Sequence, residues 1–256
     1  MNNGAVSAGP VLAVVLAGLV VVAVTVAWAG GLGLRRDLVT ASLRAVVQLA
    51  AVSLIITAVL RSWWTTAAFI TVMLAVAVFT SARRITTVRL GWTAALPIAA
   101  GAVPLGVAVV AAGTTPLAPV AVLPLAGILI GGAMTATSLS GRRALDELRD
   151  RHGEYEAALA LGFLPREAAL EVCRPTAATA LMPALDQTRT VGLVTLPGAF
   201  VGVLLGGGSA LQAGATQLLV LIALLAVEAV AVAVTVELVA AGVLRRAASW
   251  TYGPAS

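Results

Sequence analysis

The sequence predicts an all-α, polytopic membrane protein, and three observations carry that prediction. Sixty per cent of its 256 residues are apolar and only 11% are charged, too few polar side chains to cover a water-soluble globule. The apolar residues fall in runs of about 20, long enough as helices to cross a hydrocarbon core roughly 30 Å thick. The charge is concentrated: 13 of the 27 charged side chains lie between Ser140 and Pro175, which leaves the sequence on either side free to sit in lipid.

Seven spans follow in order: Pro10–Ala29, Val39–Leu60, Trp64–Thr80, Trp92–Ala112, Leu117–Thr137, Ala184–Leu205 and Ala213–Leu244. The first has no basic residues before it, and Arg35 and Arg36 follow it, so it is expected to be a retained helix and not a signal peptide. Gly113-Thr114-Thr115-Pro116 is a turn between the fourth and fifth spans. The sixth carries Gly198, Gly202 and Gly206 at four-residue intervals, small residues that let another helix approach, and Pro197 before Gly198 interrupts its regular backbone.

Orientation comes from arginine, because basic residues in short loops stay cytoplasmic. Arg35, Arg36, Arg44, Arg83, Arg84, Arg89, the seven arginines from Arg142 to Arg189, Arg245 and Arg246 all fall on one side of a seven-span path, and Arg61 alone falls on the other. The N-terminus is therefore expected outside and the C-terminus in the cytoplasm. The whole chain, 1–256, reads as one transmembrane domain in which residues 138–183 form a cytoplasmic segment between the fifth and sixth spans.

Composition also excludes functions. The net charge of +5 sits beside membrane spans and forms no separate basic domain, so the lipid bilayer is the expected partner and nucleic acid is not. One cysteine, Cys173, and one histidine, His152, rule out a disulfide framework or a His/Cys metal cage made by this chain alone. Lysine is absent, so the chain lacks the lysine with which a P-loop binds phosphate. No nucleophile with a neighbouring base is evident either, and the chain is not expected to be an enzyme.

Within the charged segment, Leu145, Leu148, Tyr155 and Leu159 recur near helical spacing against Arg142, Asp146, Arg149, Asp150 and Glu156, the pattern of an amphipathic helix over Gly141–Leu161. Gly162 is placed to end that helix and Pro165 to begin another. Glu156-Ala157-Ala158, Gly162 and Val172-Cys173-Arg174-Pro175 stand at the spacing of the EAA loop of ABC-transporter permeases, which this segment resembles. The resemblance implies a helix-turn-helix that docks on a separate ATPase. Ala157, Ala158 and Gly162 would permit close approach, and Glu156 would pair with a basic group.

Polar residues inside spans are candidates for a translocation pathway, since a charge at the bilayer centre costs about 3 kcal/mol or more. Glu228 lies near the middle of the seventh span, either as a protonated packing residue or as a pathway group. Arg44 and Gln48 share a face of the second span, and Glu237 lies nearer the cytoplasmic end of the seventh; Arg44 and Glu237 could instead snorkel to the interface. Asp186, Arg189 and Thr190 fall within one turn, as a structural ion pair or a polar gate. Pro197 and Gly198 complete the set.

From about Gln48 to Gly206 the chain resembles the FetB-type permease family, bacterial ABC-transporter membrane subunits associated with iron export, with plant relatives linked to aluminium tolerance. The residues that carry this are Arg44 to Gln48, Leu123 to Ile128 with Met134, Ala160 to Pro165, and above all the run from Pro183 to Gly198 with Gly202. Gly131-Gly132 stands where the family often has Gly-Asn, and Pro197-Gly198-Ala199-Phe200 where it often has Pro-Gly-Met-Met, which removes soft thioether ligands. The resemblance implies a permease that exports a metal ion such as iron from the bacterial cytoplasm across the inner membrane. It also implies a homodimer and a cognate ABC ATPase that holds the ATP and Mg, this chain binding no cofactor. The competing expectation is an ATP-independent secondary transporter using Glu228 as a proton or cation site.

Overall fold

The computed structural model describes residues 9–86 and 91–245, and every described element is helical. Arg89 and Arg246 lie outside the described residues. Helices α1 (Pro10–Ala29), α2 (Arg35–Val59), α3 (Trp63–Ile85), α4 (Ala95–Ala111, led in by a short 3-10 turn), α5 (Pro119–Asp150) and α10 (Ala210–Ala240) correspond to the six stretches long and apolar enough to cross a membrane. The chain is a multi-pass membrane protein.

The expected sixth span is not one helix. Residues 184–205 fall in two short helices, α8 (Met182–Thr190) and α9 (Gly198–Leu205), separated by a turn at residues 191–197. Pro197 has an extended backbone that cannot continue α8, and Gly192 takes a φ of 80°, a conformation that breaks the helix and that glycine tolerates best. The turn satisfies part of its own backbone: Gly192 N–H donates to Thr195 O at 2.9 Å and Val194 N–H to Thr190 O at 2.9 Å.

The fifth span also differs from its expected boundary. It does not stop at Thr137: α5 runs on without a break to Asp150, so the charged segment begins as a rigid extension of a membrane helix. The chain then breaks at Arg151, and α6 (His152–Ala160) and α7 (Pro165–Ala178) complete the segment.

The described residues form two compact units, divided between Ser62 and Trp63. In the first, α1 and α2 make a helical hairpin joined by a turn at residues 30–34, where Gly31 and Gly33 have positive φ. In the second, α5 and α10 are the central pair; α3 and α4 pack on α5, α4 also packs on α10, and α7 packs on both central helices. Close approach uses glycine. A methyl group on Gly101 of α4 would stand 2.7 Å from the Val227 carbonyl oxygen of α10, one on Gly127 2.9 Å from Met73 Cε of α3, and one on Gly141 2.9 Å from Ile85 Cδ1. The glycines expected to serve helix approach do not serve it within the chain: a Cβ on Gly198 or Gly202 meets nothing within 4 Å, and one on Gly206 meets only the backbone of its own helix.

Three contacts gather one end of this unit. Ile85 at the end of α3 packs on Gly141, Thr86 Oγ1 donates to the Arg245 carbonyl at 2.5 Å, and Arg166 at the start of α7 pairs with Glu237 near the end of α10. Arg83 and Arg84 sit in the last turn of α3, at that same end.

Candidate functional site

The helix-turn-helix expected from Gly162 and Pro165 is present. Leu161 closes α6 and Gly162 has φ 92°, a left-handed value that costs other residues about 1–2 kcal/mol. Gly162 N–H donates to Leu159 O and Phe163 N–H to Ala158 O, at 3.0 and 3.1 Å. Pro165 occupies the first turn of α7, where its missing N–H has no helical partner to lose, and the Glu167 carboxylate accepts from the Leu164 N–H at 3.2 Å.

What surrounds the turn sets its two faces. Ala168, Ala169, Leu170, Val172, Cys173 and Ala177 of α7 are buried in the same core as Leu145 and Leu148 of α5 and Val236 and Val239 of α10. The opposite side is open and apolar at its tip: Leu161 is 81% exposed, Leu164 64% and Phe163 45%. Ala157 is exposed and Ala158 is half-buried. Glu156 points outward but is not without a partner, its Oε1 lying 3.1 Å from His152 Nε2, and the His152 ring stacks on Tyr155 at 5.9 Å.

Electrostatics stiffen the base of this segment. Arg151, at the break between α5 and α6, bonds Glu154 and, at 3.2 Å, Glu147. The hydrogen bond it donates to Glu154, reinforced by the one to Glu147, holds the Arg151 guanidinium above its ordinary value, and the same bond holds the Glu154 carboxyl below its own. Burial pushes the Tyr155 hydroxyl up, and pushes the Cys173 thiol up to about 11.

Arg166 and Glu237 form a pair that sequence reasoning missed. Arg166 Nη2 and Nε stand 2.5 and 3.1 Å from one carboxylate oxygen of Glu237, tying the residue after Pro165 to α10 across 71 positions. Glu237 thus tethers α10 to the start of α7. No local signal joins residues so far apart in sequence. Arg143 Nη1 makes a similar link, donating to Thr179 Oγ1 at 2.6 Å.

The second part of the site is a cavity of about 840 Å³ between α5, α8, α9 and α10. Pro197 and Gly198 line it as expected, together with Thr114 and Thr115 of the α4–α5 turn, Gln187 of α8, and Thr216 and Gln217 of α10. Its wall holds hydroxyls, amides and aliphatic groups, and among the described residues no charged side chain lines it. Pro124 of α5 is also on this wall and leaves the Val120 carbonyl, likewise on the wall, without a helical N–H donor. Gln217 is 5% exposed, and its Oε1 accepts from the Phe200 N–H at 3.3 Å. Gln217 was legible by the rule that picked Glu228, a polar residue inside a span; Gln187 was hidden beside the more conspicuous Asp186.

The remaining candidates are dispersed. Asp186 pairs with Arg189 at 3.4 Å, and its backbone carbonyl accepts from Thr190 Oγ1 at 2.8 Å; Asp186 and Arg189 are both exposed. Arg44 and Gln48 lie one turn apart on α2, in the first unit, both exposed. Glu228 is only 8% exposed and faces α5, where its Oε1 lies 2.9 Å from the position a Cβ on Gly132 would take. Among the described residues no group of three or more His, Cys, Asp or Glu could hold a metal ion.

Comparison with known proteins gives this geometry a context. The model of the uncharacterised protein family UPF0014 matches residues 11–244. The UPF0014 membrane protein STAR2 of Oryza sativa subsp. japonica is 33% identical over 207 residues, 79% of this chain and 72% of that one. Protein ALUMINUM SENSITIVE 3 of Arabidopsis thaliana is 32% identical over 79% of this chain and 76% of its own length. The probable iron export permease protein FetB of Escherichia coli is 33% identical over 117 residues, 44% of each chain. No solved structure matches significantly.

Proposed function

Since the chain belongs to the UPF0014 family of membrane proteins, we propose that it is the permease subunit of an ABC transporter, driven by a separate ATPase and exporting a metal ion such as iron. The observation that carries this reading is the turn at residues 161–164. Three exposed apolar side chains, Leu161, Phe163 and Leu164, stand on a tip whose base is buried against α5 and α10. A soluble surface has little use for such a tip unless a partner covers it, and a partner that pushes on it moves two membrane helices together.

On this reading Glu156, Ala157, Ala158, Gly162 and Pro165 form the docking element, ATP and Mg belong to the ATPase, and the chain itself catalyses no reaction and holds no cofactor. Residues 182–205 form an interrupted sixth crossing, which makes seven with an N-terminus outside and a C-terminus in the cytoplasm of a bacterial inner-membrane protein. The gathering of Arg83, Arg84, the charged segment and Arg245 at one end supports that orientation.

A second copy of the chain is expected. Leu193, Val194 and Leu196, in the turn between α8 and α9, are 89%, 77% and 60% exposed. An irregular backbone at membrane depth is tolerated only against protein or a watery cavity, and apolar side chains favour protein. A homodimer buries them.

The deciding experiment is co-purification of the full chain with an ABC ATPase of the same cell, sought first among the products of neighbouring genes. Leu161→Glu with Leu164→Glu is expected to lower capture at least tenfold while leaving the permease folded by thermal unfolding. Undiminished capture would remove the docking role, and absence of capture by the unmodified chain would remove the ATPase-driven reading. ATP-independent transport abolished by Glu228→Gln would favour the secondary-transporter alternative, for which the burial of Glu228 is the supporting observation.

A further inference from the structure

The cavity and Glu228 belong to one continuous stripe. Gln217, Leu221, Leu224 and Glu228 follow at intervals of four, three and four residues along α10, so they share a helix face. The first three line the cavity, as does Ile128 of α5. One turn beyond Ile128 stands Gly132, and one turn beyond Leu224 stands Glu228.

Gly132 is the notch that joins them. A Cβ there would overlap Leu224 Cδ1 and stand 2.9 Å from Glu228 Oε1, so the missing side chain makes room for both groups. Leu224 thus stands between a carboxylate that is 8% exposed and an 840 Å³ cavity whose largely aliphatic wall carries a few hydroxyls and amides. That carboxylate has no hydrogen bond or ion pair among the described residues, in contrast to Glu237, Glu154 and Asp186, each with its arginine.

A carboxylate in this position is not explained by packing. A leucine or methionine would fill the seam without the desolvation penalty of an acid, and intramembrane acids without a structural partner belong to ion pathways. The oxygens on offer are hard donors: the Glu228 carboxylate, then the Gln217 and Gln187 amides and the Thr216 hydroxyl along the cavity. Among the described residues lining the cavity there is no Cys, Met or His. Hard oxygen donors suit divalent cations that accept oxygen ligands and retain part of their water. With one charge instead of three, the position would bind weakly enough to release its ion, as a transit site must.

We infer that Glu228 is an occluded transit site for a hard divalent cation, reached from the cavity when Leu224 leaves the Gly132 notch. The inference rests on the reading of the chain as a permease, and names the step at which its cargo sheds the cavity's water and meets a charge. Leu224 is then a plug and Gly132 its seat.

Binding of Mn²⁺ to the purified full chain in detergent, without any ATPase, tests it through the loss of the free-ion electron paramagnetic resonance signal. The expected result is one saturable equivalent per chain, weakened at least tenfold by Glu228→Gln and within threefold of normal in Glu228→Asp. Leu224→Ala is expected to speed Mn²⁺ entry severalfold with the equilibrium affinity kept. Absence of saturable binding to the unmodified chain, or binding of equal strength in a folded Glu228→Gln, overturns the site. Should Glu228→Gln fail to fold, an unchanged rate of entry in Leu224→Ala overturns it instead. Failure here leaves ATPase capture untouched, whereas failure of the permease reading shows in that capture and not in Mn²⁺ binding.

Discussion

At the scale of single residues, glycine and cysteine show how the same residue type serves different ends. Gly101→Ala places a methyl 2.7 Å from a backbone carbonyl of α10, which no rotamer change can relieve, so about 1–3 kcal/mol of destabilisation is expected. Gly202→Ala meets open space inside α9 and is expected to be neutral or to stabilise by up to about 1 kcal/mol. Thermal unfolding of the two variants in detergent makes the comparison. Cys173 is fully enclosed, and its thiol is pushed from 9.0 up to about 11. Because the folded value is the higher one, the contribution of the neutral thiol to stability is complete below about pH 9 and is lost as pH rises towards 11. Maleimide labelling of the folded chain is accordingly expected to be negligible at pH 7.5 and to appear only on unfolding or above about pH 10.

At the scale of elements, the charged segment is fastened at two levels. Arg166–Glu237 ties the start of α7 to α10, and Arg143–Thr179 ties its end to α5. The Arg166–Glu237 pair is about half exposed, so its coupling energy in a double-mutant cycle is expected to be only about 0.2–1 kcal/mol. Its mechanical consequence is larger than its stability. If the chain is the proposed ATPase-driven permease, Arg166→Glu is expected to uncouple ATP hydrolysis in the partner from transport, and the double exchange Arg166→Glu with Glu237→Arg to restore it. Recovery absent from the double exchange would show that the pair is not a strut. Gly162→Ala tests the turn itself: the left-handed φ predicts loss of about 1–2 kcal/mol, read as a lower unfolding temperature.

At the scale of the whole molecule, orientation and assembly are open to direct chemistry. With Cys173 buried, single cysteines introduced elsewhere report without background. A cysteine at Thr114 is expected to react with an impermeant maleimide from outside the cell, and one at Gly153 only after the membrane is opened. Val194→Cys is expected to cross-link two copies under mild oxidation, because its 77% exposure in an irregular segment calls for protein cover. Labelling of Thr114→Cys only from inside would invert the topology, and a Val194→Cys that stays monomeric would count against the proposed homodimer.

The class of the molecule, its apolar helices, the turn at Gly162 and Pro165 and the break at Pro197 were legible in the sequence alone, because each rests on short-range chemistry: the length of an apolar run, a left-handed glycine, a proline that cannot continue a helix. Three features were decided only in the tertiary structure. α5 carries its helix from lipid into the charged segment without a stop, which hydropathy cannot register because helicity and apolarity are separate properties. The glycines that admit a neighbouring helix of the same chain are Gly101, Gly127, Gly132 and Gly141, and not the spaced set at residues 198–206, since spacing marks small residues without saying what stands opposite them. Glu237 found Arg166, and Glu228 found a notch in α5, through contacts made across 71 and 96 positions of chain. Pairings at that range depend on how helices are set against one another, and the linear order of residues does not encode that setting locally.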